Sequence, residues 1–114
     1  MTTLYGIANC DTIKKAKKWL AENNIDYTFH DYKKLGVPEK ELNVWIKKVS
    51  WEILLNKRST TWRHLNDALK DSVDETSAIQ IMLENPSIIK RPVLVDKKSI
   101  KVGFKLNDYI ELFK

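Results

Sequence analysis

Hydrophobic positions recur along this chain in two periods, and the order in which the periods alternate predicts its architecture. Thr3-Leu4-Tyr5-Gly6-Ile7 is a short β-prone run. After Ala8-Asn9-Cys10-Asp11 the period becomes helical, with Ile13, Ala16 and Leu20 on one face, and Lys14, Lys15, Lys17 and Lys18 on the other. Asn23-Asn24 supplies a polar helix end, and Asp11 or Asn9 can cap the start, which places Cys10 at the helix N-terminus. Tyr27-Thr28-Phe29-His30-Asp31-Tyr32 alternates aromatic and polar residues with period two, as a half-buried strand does. Strand, helix, strand in that order predicts a parallel, right-handed unit.

The middle of the chain is helical in pattern. Val37-Pro38-Glu39 opens a helix with proline in its first turn, followed by Leu42, Trp45, Ile46 and Val49 at helical spacing. Trp51 to Leu55 suits a further short turn, and Thr60 or Thr61 starts another helix with Leu65, Ala68 and Leu69 inward. Ser72-Val73-Asp74-Glu75 resembles a capping box ahead of Ala78, Ile81 and Met82. Pro86-Ser87-Ile88-Ile89 ends that helix. Arg91-Pro92-Val93-Leu94-Val95 and Ser99-Ile100-Lys101-Val102 then form a hairpin across Asp96-Lys97-Lys98, and Leu106, Ile110 and Phe113 mark a last amphipathic helix. The expected fold is α/β: a four-stranded mixed sheet in a single domain over 1–114, with a helical insertion at about 38–86.

Composition narrows the functional classes. A chain of 114 residues, 43% hydrophobic and 31% charged, is long enough to bury roughly 65% of its unfolded surface and needs no covalent staple. Its one cysteine excludes an internal disulfide and a Cys-rich zinc site, and His30 and His64 are too few to add a metal cluster. No run approaches the roughly eighteen apolar residues of a membrane span, and the N-terminus has no basic segment before an apolar one. A soluble cytoplasmic protein without a membrane partner is expected, and a lone thiol suits that reducing compartment. The net charge of +5 is almost wholly lysine, because only Arg58, Arg63 and Arg91 are arginines. No recognisable nucleic-acid-binding motif accompanies the lysines, so a solvated helix face is the simpler reading.

Cys10 is the first candidate for chemistry. A thiol at a helix start meets open backbone N–H groups and the positive end of the helix dipole, both of which favour thiolate. The same residue type also serves as a small buried hydrophobe, and local sequence leaves both roles open. Pro92 precedes a strand, where an X-Pro bond can be cis and let the backbone approach the loop that bears Cys10. Arg58 lies between helical segments, as either a solvated side chain or an anion ligand, and Arg91 adjoins the proline. Arg63 falls within a helical pattern and needs no special role.

Cys10 after the first strand, Leu54-Leu55-Asn56-Lys57-Arg58-Ser59-Thr60, Ile88-Ile89-Lys90-Arg91-Pro92-Val93 and Val102-Gly103-Phe104 together resemble the thioredoxin-fold family of the glutaredoxin-coupled arsenate reductases and the Spx regulators. Tyr5 to Ala16 and Asn24-Ile25-Asp26-Tyr27 are most similar to its YffB-like branch. The resemblance implies a thioredoxin-like fold, Cys10 as nucleophile, oxyanion-binding arginines at Arg58 and Arg91, and a cis bond at Pro92. The reductases use a third arginine where this chain has Gly103-Phe104-Lys105, which argues against arsenate reduction. Spx proteins carry Cys-x-x-Cys, whereas Ile13 stands at the second position here, so the resolving thiol has to come from outside. The expected activity is glutathione-dependent thiol oxidoreduction with no bound cofactor. Glutathione is the co-substrate, and a glutathionylated substrate and a glutaredoxin are the partners. Arg58 and Arg91 would hold the anionic partner, Pro92 would shape the groove, and the N–H groups of Asp11 and Thr12, with the Thr12 hydroxyl, would stabilise the thiolate. The alternatives are a glutaredoxin-coupled arsenate reductase and a non-enzymatic, RNA polymerase-binding regulator.

Overall fold

Four strands form one mixed sheet in the order β2-β1-β3-β4, in a computed structural model that describes residues 2–97 and 99–113. Lys98, in the expected hairpin turn, lies outside the described residues. The elements in chain order are β1 (Thr2–Gly6), α1 (Asp11–Glu22), β2 (Thr28–Asp31), α2 (Tyr32–Leu35), α3 (Glu39–Val49), α4 (Trp51–Leu54), α5 (Thr60–Arg63), α6 (Asp67–Asp71) and α7 (Glu75–Glu84). A 3₁₀ turn at Pro86–Ile88 follows, then β3 (Val93–Asp96), β4 (Ser99–Val102) and α8 (Leu106–Phe113). This is the thioredoxin-like arrangement. The chain divides into two compact units, Met1–Leu35 with Arg91–Lys114, and Gly36–Lys90.

In the first unit β1 pairs parallel with β2 and antiparallel with β3, and β3 pairs antiparallel with β4. Leu4 and Leu94 are direct cross-strand partners, and both are fully buried on one face of the sheet. Ala16 and Leu20 of α1 and Tyr109 of α8 cover them, with Trp19, Phe104 and Phe113 packed around the cluster. Trp19 meets Tyr109 edge-on at 5.6 Å between ring centroids. Each fully buried leucine contributes about 1.5–3 kcal/mol of transfer free energy, so this cluster is what joins the two ends of the chain.

Two expectations shift here. Tyr32 does not continue β2. It starts the one-turn helix α2, which period-two alternation could not reveal, and it is buried. On α8 the inward residue is Tyr109, while Leu106 and Ile110 remain 51% and 40% exposed. The large aromatic outcompetes the two aliphatics for the core because it buries more surface there.

The second unit is helical, with Leu42, Trp45, Ile46, Leu54, Ala78, Ile81 and Met82 as its buried side chains on α3, α4 and α7. Its helices are short because cap-forming residues recur. Ser50, Ser59 and Asn66 each accept a backbone N–H, from Glu52, Trp62 and Ala68 respectively. The single helix expected after Thr60 is therefore two, broken at Asn66, and Ala68 is exposed. The capping box also sits two residues later than expected. Asp74 caps α7 and exchanges hydrogen bonds with Ser77, each at 2.9 Å.

Candidate active site

Cys10 itself, not Asn9 or Asp11, is the N-cap of α1. Its backbone is extended, its carbonyl accepts the first helical N–H from Lys14 at 3.0 Å, and its own N–H donates to Ala8 O at 3.0 Å. The strand thus turns directly into the helix and leaves the half-buried thiol beside the open N–H groups of the first turn. Partial burial pushes the thiol pKa up. The backbone N–H groups of Ile13 and Thr12, together with the Arg91 guanidinium acting by charge and by a side-chain hydrogen bond, outweigh that effect and hold it below its ordinary value. The sulfur makes no capping hydrogen bond of ordinary geometry, so the amides act on it chiefly as oriented dipoles. The amides concerned are those of residues 12 and 13, rather than the expected 11 and 12. Asp11 is exposed in the first turn.

Gly6, at the end of β1, leaves room for the Ile13 side chain of the first turn of α1. A side chain there would overlap Ile13 Cδ1, and its Cβ would lie 3.1 Å from Ile13 Cγ1 and 3.9 Å from Arg91 Cγ. Gly6 was not among the residues singled out from sequence. Its one local signal is that it ends a strand just before a loop.

The Arg91-Pro92 bond is cis, and Pro92 is buried. Its carbonyl accepts the Gly103 N–H at 2.8 Å, and Gly103 has φ of 79°, the left-handed region that suits glycine. Where the arsenate reductases were expected to carry a third arginine, Phe104 packs edge-on against Tyr109 at 4.8 Å and Lys105 is exposed. Tyr32 is a further neighbour missed from sequence. Burial raises its pKa well above the ordinary phenol value, Tyr5 adds to the rise and Arg91 opposes it.

The structure therefore brings Cys10, Thr12 and Arg91 together within the first unit, with Pro92 next to Arg91 in the chain. Arg58 belongs to the Gly36–Lys90 unit, where it is exposed in the turn between α4 and α5. That turn is well anchored. Asn56 Oδ1 accepts the Arg58 N–H at 3.1 Å, the Asn56 N–H donates to Ile88 O at 2.8 Å, and Leu55 bridges Ile89. Arg63 ends the single turn α5 and is exposed. Among the described residues no group of three or more His, Cys, Asp or Glu side chains is placed to hold a metal, and no helix is long and apolar enough to cross a membrane.

Residues 5–112, nearly the whole chain and every residue of this site, match the ArsC family. The chain belongs to the ArsC family. An uncharacterized protein of Haemophilus influenzae is 44% identical over 99% of each chain. The global transcriptional regulator Spx 2 of Bacillus anthracis is 31% identical over 91% of this chain and 80% of its own. The solved structure of the YffB (PA3664) protein superposes with a TM-score of 0.94 at 45% identity, covering 97% of each chain. As an ArsC-family member the chain is arsenate-reductase-related, and the family points to redox chemistry, although its Spx relatives are regulators.

Chemically, a half-buried sulfur with its charge supported by two amides and a guanidinium can attack an electrophilic sulfur, or an oxyanion centre, that approaches from solvent.

Proposed function

We propose that the protein is a glutathione-dependent thiol oxidoreductase of the cytoplasm, with Cys10 as its nucleophile. The observation that carries this reading is the lowered pKa of Cys10 beside Arg91 and the Ile13 and Thr12 amides. The Cys10 thiolate attacks one sulfur of a glutathionylated substrate. The Cys10–S bond forms as the S–S bond breaks, and the electron pair leaves on the departing thiolate, which takes a proton from water. A second glutathione, or a glutaredoxin thiol, then attacks the Cys10 mixed disulfide and restores the Cys10 thiolate, so the incoming thiols supply the two electrons. With Ile13 where a second cysteine would stand, resolution by an external thiol is the only balanced route. Arg91 and Arg58 bind the carboxylates of the anionic partner, and Pro92 and Thr12 shape its seat. Residues from about 38 to 86 form a helical insertion within one thioredoxin-like domain. No bound cofactor is required.

The test is the pH dependence of Cys10 alkylation in the native protein, with and without glutathione disulfide. The reading expects an apparent pKa below the ordinary value of about 8.5 and protection by mixed-disulfide formation. A thiol that titrates at or above that value, or reacts only after unfolding, overturns it.

The 31% identity to Spx 2 favours a second reading, a regulator that binds RNA polymerase and does no chemistry. Enrichment of polymerase from a lysate that is undiminished by Cys10→Ser favours that reading over catalysis. Arsenate reduction is the weaker alternative, because Lys105 offers a point charge where a bidentate arginine is expected. Arsenate-dependent turnover no greater than that of Cys10→Ser dismisses it.

A further inference from the structure

Two phenols of the first unit, Tyr32 on α2 and Tyr109 on α8, are buried with hydroxyls that find no hydrogen-bond partner among the described residues. A buried polar atom left unpaired costs stability, so each needs a reason to be kept. Their surroundings differ. Tyr109 sits in the core with Leu4 and Leu94, edge-on to Trp19 and Phe104, and the packing of its ring accounts for it. Tyr32 lies at the Cys10 end of the sheet. Asp31, the residue before it, pairs with Gly6, the last residue of β1. Arg91 Cγ is 3.9 Å from the point where a Gly6 Cβ would stand, and neighbouring strands are about 4.8 Å apart. The Arg91 side chain therefore starts about one strand spacing from Asp31-Tyr32.

The Tyr32 ring is held in place. It meets the His30 ring at 6.0 Å, and His30 lies 5.1 Å from the ring of Tyr5, its cross-strand partner. An Asp31 carboxylate oxygen accepts the Lys33 N–H at 2.9 Å, which fixes the first turn of α2. Tyr5, His30, Asp31 and Arg91 are thus the titratable or charged groups around it. Burial keeps the Tyr32 phenol neutral, while the Arg91 charge acts on it in the opposite sense. Neutrality matters here, because a phenolate would pair with the guanidinium and draw its charge away from Cys10. A neutral phenol offers an oxygen with unused lone pairs beside a cation that has five N–H donors and no acceptor. Such a dipole turns its oxygen toward the cation and holds it without neutralising it.

We propose that Tyr32 is a positioning residue of the Cys10 site, its hydroxyl oxygen holding the Arg91 guanidinium in the place from which that group acts on the thiolate. The consequence for reactivity rests on the thiol-exchange reading, whereas the hold on Arg91 does not. The hydroxyl is kept at a cost in stability because the site uses it.

Tyr32→Phe removes the hydroxyl and keeps the ring, and Tyr109→Phe does the same to the core phenol. In the full-length protein, Tyr32→Phe is expected to move the Cys10 alkylation profile up by at least about 0.3 pH unit, roughly a twofold loss of thiolate on its acid side. Its urea midpoint is expected to be no lower than that of wild type, because an unpaired polar atom has gone. Tyr109→Phe is expected to match that stability and leave the profile in place, and Tyr32→Phe is expected to add nothing to Arg91→Ala. A Tyr32→Phe profile that coincides with wild type, an equal shift from Tyr109→Phe, a shift that persists without Arg91, or one that comes with a lowered urea midpoint overturns the proposal. Arg91 can also be followed directly by NMR, since only Arg58 and Arg63 share its side-chain Nε–H region. In wild type that Nε–H is expected to show cross-relaxation with the Tyr32 ring protons, and its resonance is expected to move in Tyr32→Phe. No cross-relaxation, or a resonance that stays in place, overturns the hold on Arg91. If the wild-type thiol titrates at or above its ordinary value, the thiol-exchange reading fails, and this resonance alone decides whether Tyr32 positions Arg91.

Discussion

At Cys10 the balance between burial and local polarity sets the thiol's pKa, and Arg91 is the part of that balance a mutation can remove. Arg91→Ala leaves burial in place and removes the cation, so the alkylation profile is expected to move to higher pH, with a slower rate at neutral pH. Because the pKa is depressed in the folded protein, thiolate reactivity is present above that value and is lost as pH falls through it. Arg91→Lys should recover part of the shift, since an ammonium keeps the charge and loses the planar fork. An Arg91→Ala profile that coincides with wild type would remove Arg91 from the site. That Cys10 lies at a helix start was readable from the period change after Ile7. Which amides face the sulfur was not, because periodicity locates a helix end only to within one or two residues.

Among the elements, α7 and α8 carry the clearest differences from their sequence patterns. The reciprocal Asp74–Ser77 pair starts α7, and the Ser77 N–H and hydroxyl hold the Asp74 carboxyl below its ordinary value. The stabilisation is therefore fully present above the unfolded carboxyl pKa and is lost as pH falls through the lower folded one. Asp74→Ala is expected to lower the urea midpoint at neutral pH, and the gap from wild type should close in strong acid. A gap independent of pH would mean that the carboxylate is not what caps α7. On α8, Leu106→Ser and Ile110→Ser are each expected to change stability by no more than about 0.5 kcal/mol, despite both being apolar and in phase. Larger losses by denaturant titration would put the Leu106 face, not the Tyr109 face, in the core. Sequence showed that α8 is amphipathic, but Leu106-Ile110-Phe113 and Tyr109-Leu112-Phe113 are overlapping apolar faces about 70° apart around the helix, and only the fit against Leu4 and Leu94 chooses between them.

For the whole molecule, the stabilising contact of the first unit joins residues from opposite ends of the chain. Leu4→Ala is expected to cost about 2–5 kcal/mol, and because Leu94 faces it across the sheet, Leu4→Ala/Leu94→Ala should cost less than the sum of the single changes. Strict additivity would mean that the two do not share a packing site. Local patterning was enough to determine the four strands, the helix after the first strand, the hairpin, the helical middle and the last helix, though not the one-turn α2 or the break at Asn66, because side-chain periodicity is dictated by local backbone geometry. The close approach of Arg91 to Cys10, the clearance at Gly6 and the inward face of α8 were decided only by tertiary structure. Each depends on segments distant in sequence meeting at contact distance, and competition for that space is a property of the folded chain, not of any one stretch of it.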